Sequence, residues 1–385
     1  MPENRTQPGE PVALRPARFK DYEGITAVAR RNGLFLSKSF EDWKSVWTAN
    51  PANPAIRDEP WTIGWVLESN TGHIAGHLGN IPMEYELRGR RILAAAAHAW
   101  AVDKEFRRNP GNQSNSILLM NRFFAQNSEL LLLCNTSNIN TGRAFTSHGG
   151  ARIPALDYER PMFQITGFAG FGQSVLRSKN LPAAKALGAL AGPALWAAQS
   201  VRARAAHFKI PARLRLETLS AFDDRFDAFW EQLRTQSRKL LLVRNRAALA
   251  WHYDYALSRD RAWLVTCEHG STLAGYAIFL NNENRDTGLK RLWLADIQAL
   301  GNDTETVMLS LVSAGLKHSR NRGFHILESV GFDQDKRRVL RKLLPWSRQQ
   351  AVFPFYYRAP ETSDARLLAV PECWDPCIAD GDAGL

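Results

Sequence analysis

Residues 103–114 gather charged and polar side chains around a single turn. Asp103 and Glu105 are followed by Arg107, Arg108, Asn109, Pro110, Gly111, Asn112, Gln113 and Ser114. Ile117, Met120 and Phe124 then recur at helical spacing, so the turn opens a helix. The first N–H groups of a helix have no carbonyl partner inside it, and the helix dipole places partial positive charge there. A phosphate group satisfies both. Gly111 lets a ligand approach the backbone closely, and the two arginines supply charge-assisted hydrogen bonds. The chemistry expected of residues 107–114 is that of an anion cradle.

Such a cradle needs a strand before it and a helix after it. Residues 93–102 (LAAAAHAWAV) form the apolar, strand-like lead, with His98 and Trp100 near its end. Upstream, residues 11–18 predict a strand, 21–32 a helix, and 39–47 a second helix capped by Ser39. Residues 61–68 and 73–83 predict a hairpin around Asn70 and Gly72. Downstream, the unbroken apolar run at 129–135 has the length of a buried central strand. A helix over 138–148 ends at Gly149 and Gly150, and strands follow at 151–158 and 161–165.

Beyond residue 216 the order recurs. Helices are expected at 222–234 and 247–256, a hairpin at 262–268 and 272–280, and a strand at 289–300. A helix capped by Asp303, a strand at 325–330 and a basic helix at 333–343 complete it. The second copy lacks the basic turn. Leu300, Gly301, Asn302 and Asp303 stand between its strand and helix, and an acid at a helix start opposes phosphate.

The chain has 385 residues, 45% hydrophobic and 23% charged, as in a folded multidomain protein. A net charge of +11 suits a polyanionic ligand, nucleic acid or an anionic membrane surface. The excess is local. Residues 162–216 contain no Asp or Glu, but hold Arg177, Lys179, Lys185, Arg202, Arg204, Lys209, Arg213 and Arg215. The rest is nearly balanced, so a nucleic-acid surface is not expected. Residues 181–201 are Ala-rich but interrupted by Gly188, Gly192, Pro193 and Gln199, and fall short of the roughly 20 apolar residues of a bilayer span. Two readings stand: a helix packed between domains, or peripheral contact of 181–209 with the inner face of a membrane. The first residues lack the order of a signal peptide, so the expected place is the cytoplasm. Cys134 and Cys267 sit in apolar runs, and Cys373 and Cys377 have no further soft ligands in sequence reach; no metal site is expected.

With these elements in place the chain resembles the GNAT superfamily of acyl-CoA-dependent N-acyltransferases. The family loop Q/R-x-x-G-x-G/A is matched by Arg108, Asn109, Pro110, Gly111, Asn112 and Gln113, with Gln113 where Gly or Ala is usual. Alternatively Arg107 is the first position and Pro110 an insertion. The family's later pattern N-x-x-A-x-x-L-Y-x-x-x-G-F is met by Asn138, Thr141, Ala144, Phe145, Gly149 and Gly150, with Phe145 replacing the tyrosine. The resemblance implies an α/β fold of mixed sheets: a cofactor-binding domain at 11–165, a basic helical linker at 166–215, a second GNAT-like domain without a cofactor loop at 216–360, and a tail at 361–385.

It also implies acetyl-CoA or another acyl-CoA as cosubstrate, held by the backbone of Trp100, Ala101 and Val102 and by Arg107, Arg108, Gly111, Asn112, Gln113, Ser114 and Asn138. Glu105 is the first choice of base, with Asp103 and His98 as alternatives. The same carboxylates could instead pair with Lys104, Arg107 or Arg108. His148 or Ser147 would be the acid, unless the thiolate leaves unaided; otherwise His148 caps a helix. The activity implied is acyl transfer to an amine or hydroxyl of a small molecule or sugar. A fainter resemblance of residues 243–257 and 271–280 to bacterial GNAT-like proteins associated with surface polysaccharides adds a setting. The alternatives are a Fem-like aminoacyl-tRNA-dependent transferase and a catalytically silent GNAT-like binding protein. Neither the acceptor nor the oligomeric state can be read from the residues.

Overall fold

The computed structural model of the chain describes residues 11–34, 38–53, 61–108, 114–135, 139–155, 157–181, 184–202, 208–348, 354–361 and 365–381. In chain order the elements are β1 (Val12–Pro16), α1 (Tyr22–Arg31), α2 (Phe40–Thr48), β2 (Gly64–Ser69), β3 (Ile74–Leu87), β4 (Arg90–Val102), α3 (Asn115–Phe124), β5 (Leu131–Asn135), α4 (Ile139–Ser147), β6 (Ala151–Arg152), β7 (Met162–Ile165), α5 (Phe168–Ser178) and α6 (Ala184–Arg202). There follow β8 (Leu214–Leu219), α7 (Arg225–Gln236), β9 (Leu240–Leu242), α8 (Arg246–Leu257), β10 (Ala262–His269), β11 (Thr272–Asn284), β12 (Leu289–Ala299), α9 (Thr304–Asn321), β13 (Ile326–Ser329), α10 (Gln334–Leu340), β14 (Trp346–Ser347), β15 (Phe355–Arg358) and α11 (Ala365–Leu368).

Two compact units result. Met1–Pro154 and Pro354–Val370 form the first, Ala155–Phe353 and Pro371–Leu385 the second. The first holds a sheet in the order β1-β2-β3-β4-β5-β15-β6, with β4 and β5 parallel and the other neighbours antiparallel. The second holds β14-β7-β13-β12-β11-β10-β8, with β12 and β13 parallel. Both are mixed sheets with helices, the class expected. The division differs from a boundary at residue 165. β7 pairs with β13 in the second sheet, and β15 pairs with β5 in the first. A four-residue apolar strand carries no signal of which sheet edge it will fill; the edge beside each parallel pair decides.

The expected linker also packs as part of the second unit. Gln199 of α6 accepts from the Ile165 N–H at 2.9 Å and donates to its carbonyl at 3.0 Å, satisfying the buried edge of β7 beyond its pairing with β14. Phe163, Ile165 and Ile326 form a small core there with Phe168, Phe171 and Leu195.

In the first unit β3 and β4 are joined by Arg88 and Gly89, both with positive φ (52° and 81°), the backbone a two-residue hairpin requires. The main core lies on the face covered by α3 and α4, where Trp65, Leu67, Leu78, Ala95, Leu119, Phe123, Leu132 and Phe145 are buried together. Ser39 caps α2 by accepting from the Asp42 N–H, as its position predicts.

Candidate functional site

The parallel strands β4 and β5 pair only at Ala94 with Leu131, Ala95 with Leu132 and Ala96 with Leu133. Pairing stops there, although β4 continues to Val102 and β5 to Asn135. Beyond the parting, residues 97–100 of β4 are half-buried, whereas Ala94, Ala95 and Ala96 are fully enclosed. A bulge falls in the same stretch. The register jumps from Gly79 opposite His98 to His77 opposite Ala101, and Ala99 takes a left-handed φ of 48°. A bulge re-aims backbone groups that regular pairing would consume. Of the residues whose backbone is expected to meet an acyl group, Trp100 is half-buried at this bulge, while Ala101 and Val102 are buried and pair with His77 and Gly76.

His77, which the sequence did not mark, holds this bulge. It is 1% exposed, and its Nδ1 lies 3.3 Å from the Ala99 carbonyl. Burial, and next the neighbouring His98, push its pKa down to about 3. The ring is therefore neutral near pH 7 and donates from Nδ1 to Ala99. Gly79 is needed beside it: a Cβ there would come within 3.0 Å of the His98 carbonyl and 3.2 Å of the His77 ring.

The turn that follows is pinned at both ends of its base. Arg108 and Ser114 form an antiparallel bridge, and the Asn115 N–H donates to the Arg107 carbonyl at 3.0 Å. Asn115 Nδ2 donates to the Phe106 carbonyl at 2.7 Å. Ser114 caps α3, its hydroxyl accepting from the Ile117 N–H. Arg107 and Arg108 are exposed at this base, Arg107 reaching the Val102 carbonyl and Asn32 Oδ1 at 3.4 Å each. Gly111, Asn112 and Gln113 of the loop, and Asn138 before α4, lie outside the described residues.

Of the expected bases, Asp103 is the one the structure commits elsewhere. It is 4% exposed, and both carboxylate oxygens receive the Arg31 Nε at 3.0 Å, with Arg31 Nη2 at 2.7 Å and Asn32 Nδ2 at 3.2 Å. A carboxylate so paired ties α1 to the end of β4. Its partner is Arg31, not Lys104, Arg107 or Arg108. Glu105, in the single turn that follows β4, is exposed. His98 sits half-buried at the parting itself.

At the far side, Phe145 is fully buried in the core. His148 caps the end of α4: its Nδ1 lies 2.7 Å from the Ala144 carbonyl, its Nε2 2.6 Å from Asn121 Oδ1, and its ring stacks on Phe124. Ser147 returns its hydroxyl to the Ala144 carbonyl at 2.8 Å. Another phenol reaches α4 instead. Tyr356 of β15 stands opposite Cys134 on β5, and a Cβ on Gly142 would overlap its hydroxyl. Among the described residues, three buried amide oxygens of this unit have no partner: Asn80 Oδ1 opposite Ala97, Asn115 Oδ1 at the start of α3 and Asn135 Oδ1 at the end of β5.

No protein-family model matches the sequence, and no curated protein sequence does. Solved structures resemble it. The chain is similar to a GCN5-related N-acetyltransferase from Anabaena variabilis, at 16% identity and a TM-score of 0.52, over 91% of this chain and 73% of that one. It is similar to a GCN5-related N-acetyltransferase from Kribbella flavida, at 11% identity and a TM-score of 0.55, over 91% and 71%. It is also similar to Saccharomyces cerevisiae N-myristoyltransferase with bound myristoyl-CoA, at 12% identity and a TM-score of 0.58, over 93% and 81%. The fold is the one these acetyltransferases and N-myristoyltransferases share.

Proposed function

We propose that the first unit is an acyl-CoA-dependent acyltransferase, acetyl-CoA being the first donor to test, acting on an amine or hydroxyl of a small molecule or sugar. The observation that carries this is the parting of β4 from β5 at a half-buried bulge, directly ahead of a basic turn and a capped helix start. The donor set also suits such a ligand. Exposed Arg107 and Arg108 match phosphates, and the oxygens of Asn115 and Asn135, without a partner among the described residues, match amide N–H groups of a pantetheine arm. A yeast N-myristoyltransferase of the same fold holds myristoyl-CoA.

A bound thioester would supply an activated acyl carbon and a thiolate leaving group. The chain's own residues do the rest. Backbone N–H groups at the His98–Trp100 bulge, held in place by neutral His77, polarise the acyl carbonyl. Glu105, or His98 in its place, takes the proton from the acceptor nitrogen or oxygen as that atom bonds to the acyl carbon and the carbon–sulfur bond breaks. Tyr356 is the candidate to return a proton to sulfur, because Phe145 cannot titrate and His148 is tied to α4. Acetyl-CoA is expected to raise the melting temperature, and Arg108→Ala combined with Gly111→Glu to abolish the rise. No shift with any acyl-CoA would overturn the proposal.

The burial of Phe145 favours a second reading, a binding protein without turnover. A coenzyme A release assay across amines and amino sugars separates the two: binding without release on every acceptor selects the silent form.

A further inference from the structure

The α5–α6 hairpin presents an inverted helix. In α6 the described residues turned inward are mostly small or polar, Leu195 being the large apolar one, and the outward side carries the other large apolar ones: Leu187 is 45% exposed, Leu190 75%, Trp196 60% and Val201 67%. At about 100° per residue these positions, with Pro193, Ala194 and Ala197 between them, cover roughly half the circumference. Among the described side chains of that arc, Ser200 is the polar exception. An ordinary surface helix shows the opposite pattern.

The helix cannot roll to hide this face. A Cβ on Gly188 would collide with the backbone of Gln173 in α5, and one on Gly172 would come within 2.9 Å of the Gly188 carbonyl. Gln199 fixes the rotation further through its two hydrogen bonds to Ile165, and the Trp346 indole N–H donates to the same Gln199 oxygen at 3.1 Å. Val175 and Leu181 extend the exposed apolar surface along the hairpin. The charges carried by the hairpin and its flanking sequence are of one sign. Arg177 and Lys179 are exposed at one end and Lys209 beyond the other, and residues 162–216 contain no acid.

We infer that the α5–α6 hairpin docks the protein on an anionic lipid surface, α6 lying flat with its apolar face among the acyl chains and the basic flanks at the headgroups. Aliphatic residues with a tryptophan, bordered by lysine and arginine, fit that interface. At 19 residues α6 is about 28 Å long. No helix among the described residues is long and apolar enough to cross a membrane, so the geometry is that of a helix on the surface. A second copy of the hairpin would bring the same positive flanks together, which disfavours self-pairing. The inference is independent of the acyltransferase proposal.

The test is co-sedimentation of the intact chain with vesicles of phosphatidylcholine alone or of phosphatidylcholine with phosphatidylserine. The wild type is expected to pellet with the anionic vesicles and less so as salt rises. Leu190→Glu and Trp196→Glu are each expected to lower partitioning about tenfold or more. Replacing Lys179 and Lys209 together by Gln, which disturbs no packing, is expected to lower binding several-fold and flatten its salt dependence. This second variant keeps the test decisive if a glutamate variant fails to fold. Failure of the wild type to bind, equal binding to neutral vesicles, or unchanged binding by folded variants would overturn the inference. So would light scattering that finds a wild-type oligomer dissociated by Leu190→Glu.

Discussion

The two sheets repeat one strand order and treat the same place in opposite ways. β1, β2, β3, β4, β5, β15 and β6 follow one another in the first as β8, β10, β11, β12, β13, β7 and β14 do in the second. In each, a parallel pair stops short near a bulge: β4 leaves β5 after Ala96, and β12 leaves β13 after Leu294. In the first the strand beyond is half-buried and leads to Arg107 and Arg108. In the second it carries Asp296 and Gln298, both buried and held by charge. Arg244 Nε donates to Asp296 at 2.8 Å, Lys336 Nζ to Asp375 at 2.6 Å, and Gln298 Nε2 to Asp375 at 3.0 Å. The segment around Asp375 is drawn in with them: the Phe332 N–H donates to the Pro376 carbonyl, and Arg244 Nη2 to Cys377 Sγ. One frame thus takes two forms, a half-buried parting in the first unit, where the proposed site lies, and one filled by the chain itself in the second.

Removing the cation from the filled edge is the largest expected effect. Burial opposes ionisation of Asp375, but the Lys336 ammonium and the Arg244 guanidinium outweigh it and hold the carboxyl well below the usual range. Arg244→Met leaves Asp296 without its cation at a site 1% exposed. A loss of about 3–5 kcal/mol in unfolding free energy is expected, measured by urea denaturation. A loss under about 1 kcal/mol would mean that water reaches this edge, and the contrast between the two sheets would fail.

Within the first unit, the two neighbouring carboxylates should respond differently. Glu105→Gln is expected to lower kcat/KM by about 10²–10⁴-fold with little change in stability, as for loss of a general base. Asp103→Asn is expected to cost roughly 1.5–3 kcal/mol of stability through its Arg31 contacts, with kcat nearly kept. If Asp103→Asn instead removes activity from a fully folded protein, the roles are reversed. If His98→Gln falls further than Glu105→Gln, the base is the histidine.

Much of this frame was legible in the residues, because hairpins, apolar runs and helical periodicity are local. The strand at 131–135, the repeat beyond residue 216 and the cap of α2 at Ser39 follow from neighbours in sequence. The losses are all long-range. Arg31 stands 72 positions from Asp103, and no spacing rule links them. β7 and β15 are short strands whose sheet is chosen by a vacant edge. Gln199 looked like a break in an Ala-rich stretch and is the hydrogen-bonding anchor of α6. His77 sits in a strand buried almost throughout, where nothing local announces a bulge on the opposite strand.

His77 also gives the subtlest way to tell the two edges apart, through pH. Its pKa is about 3 in the folded chain against an ordinary 6.5, so between those values the unfolded chain binds a proton that the folded chain does not. Stability must therefore rise with pH across that window; the contribution is complete above about pH 6.5 and is lost as pH falls toward 3. Asp375 behaves differently, since a depressed carboxyl loses its contribution only as pH falls through the ordinary carboxylate range, near 4 and below. The interval from pH 7 to pH 5 consequently isolates the histidine. His77→Gln keeps an N–H for the Ala99 carbonyl but does not titrate. The fall in unfolding free energy between pH 7 and pH 5 should be about 2 kcal/mol smaller in this variant than in the wild type. His318 and His325 are also pushed down by burial, but they contribute equally to both proteins and cancel in the difference. Identical pH slopes would mean that His77 accepts a proton in the folded state, and the bulge would then lose the neutral donor that holds it.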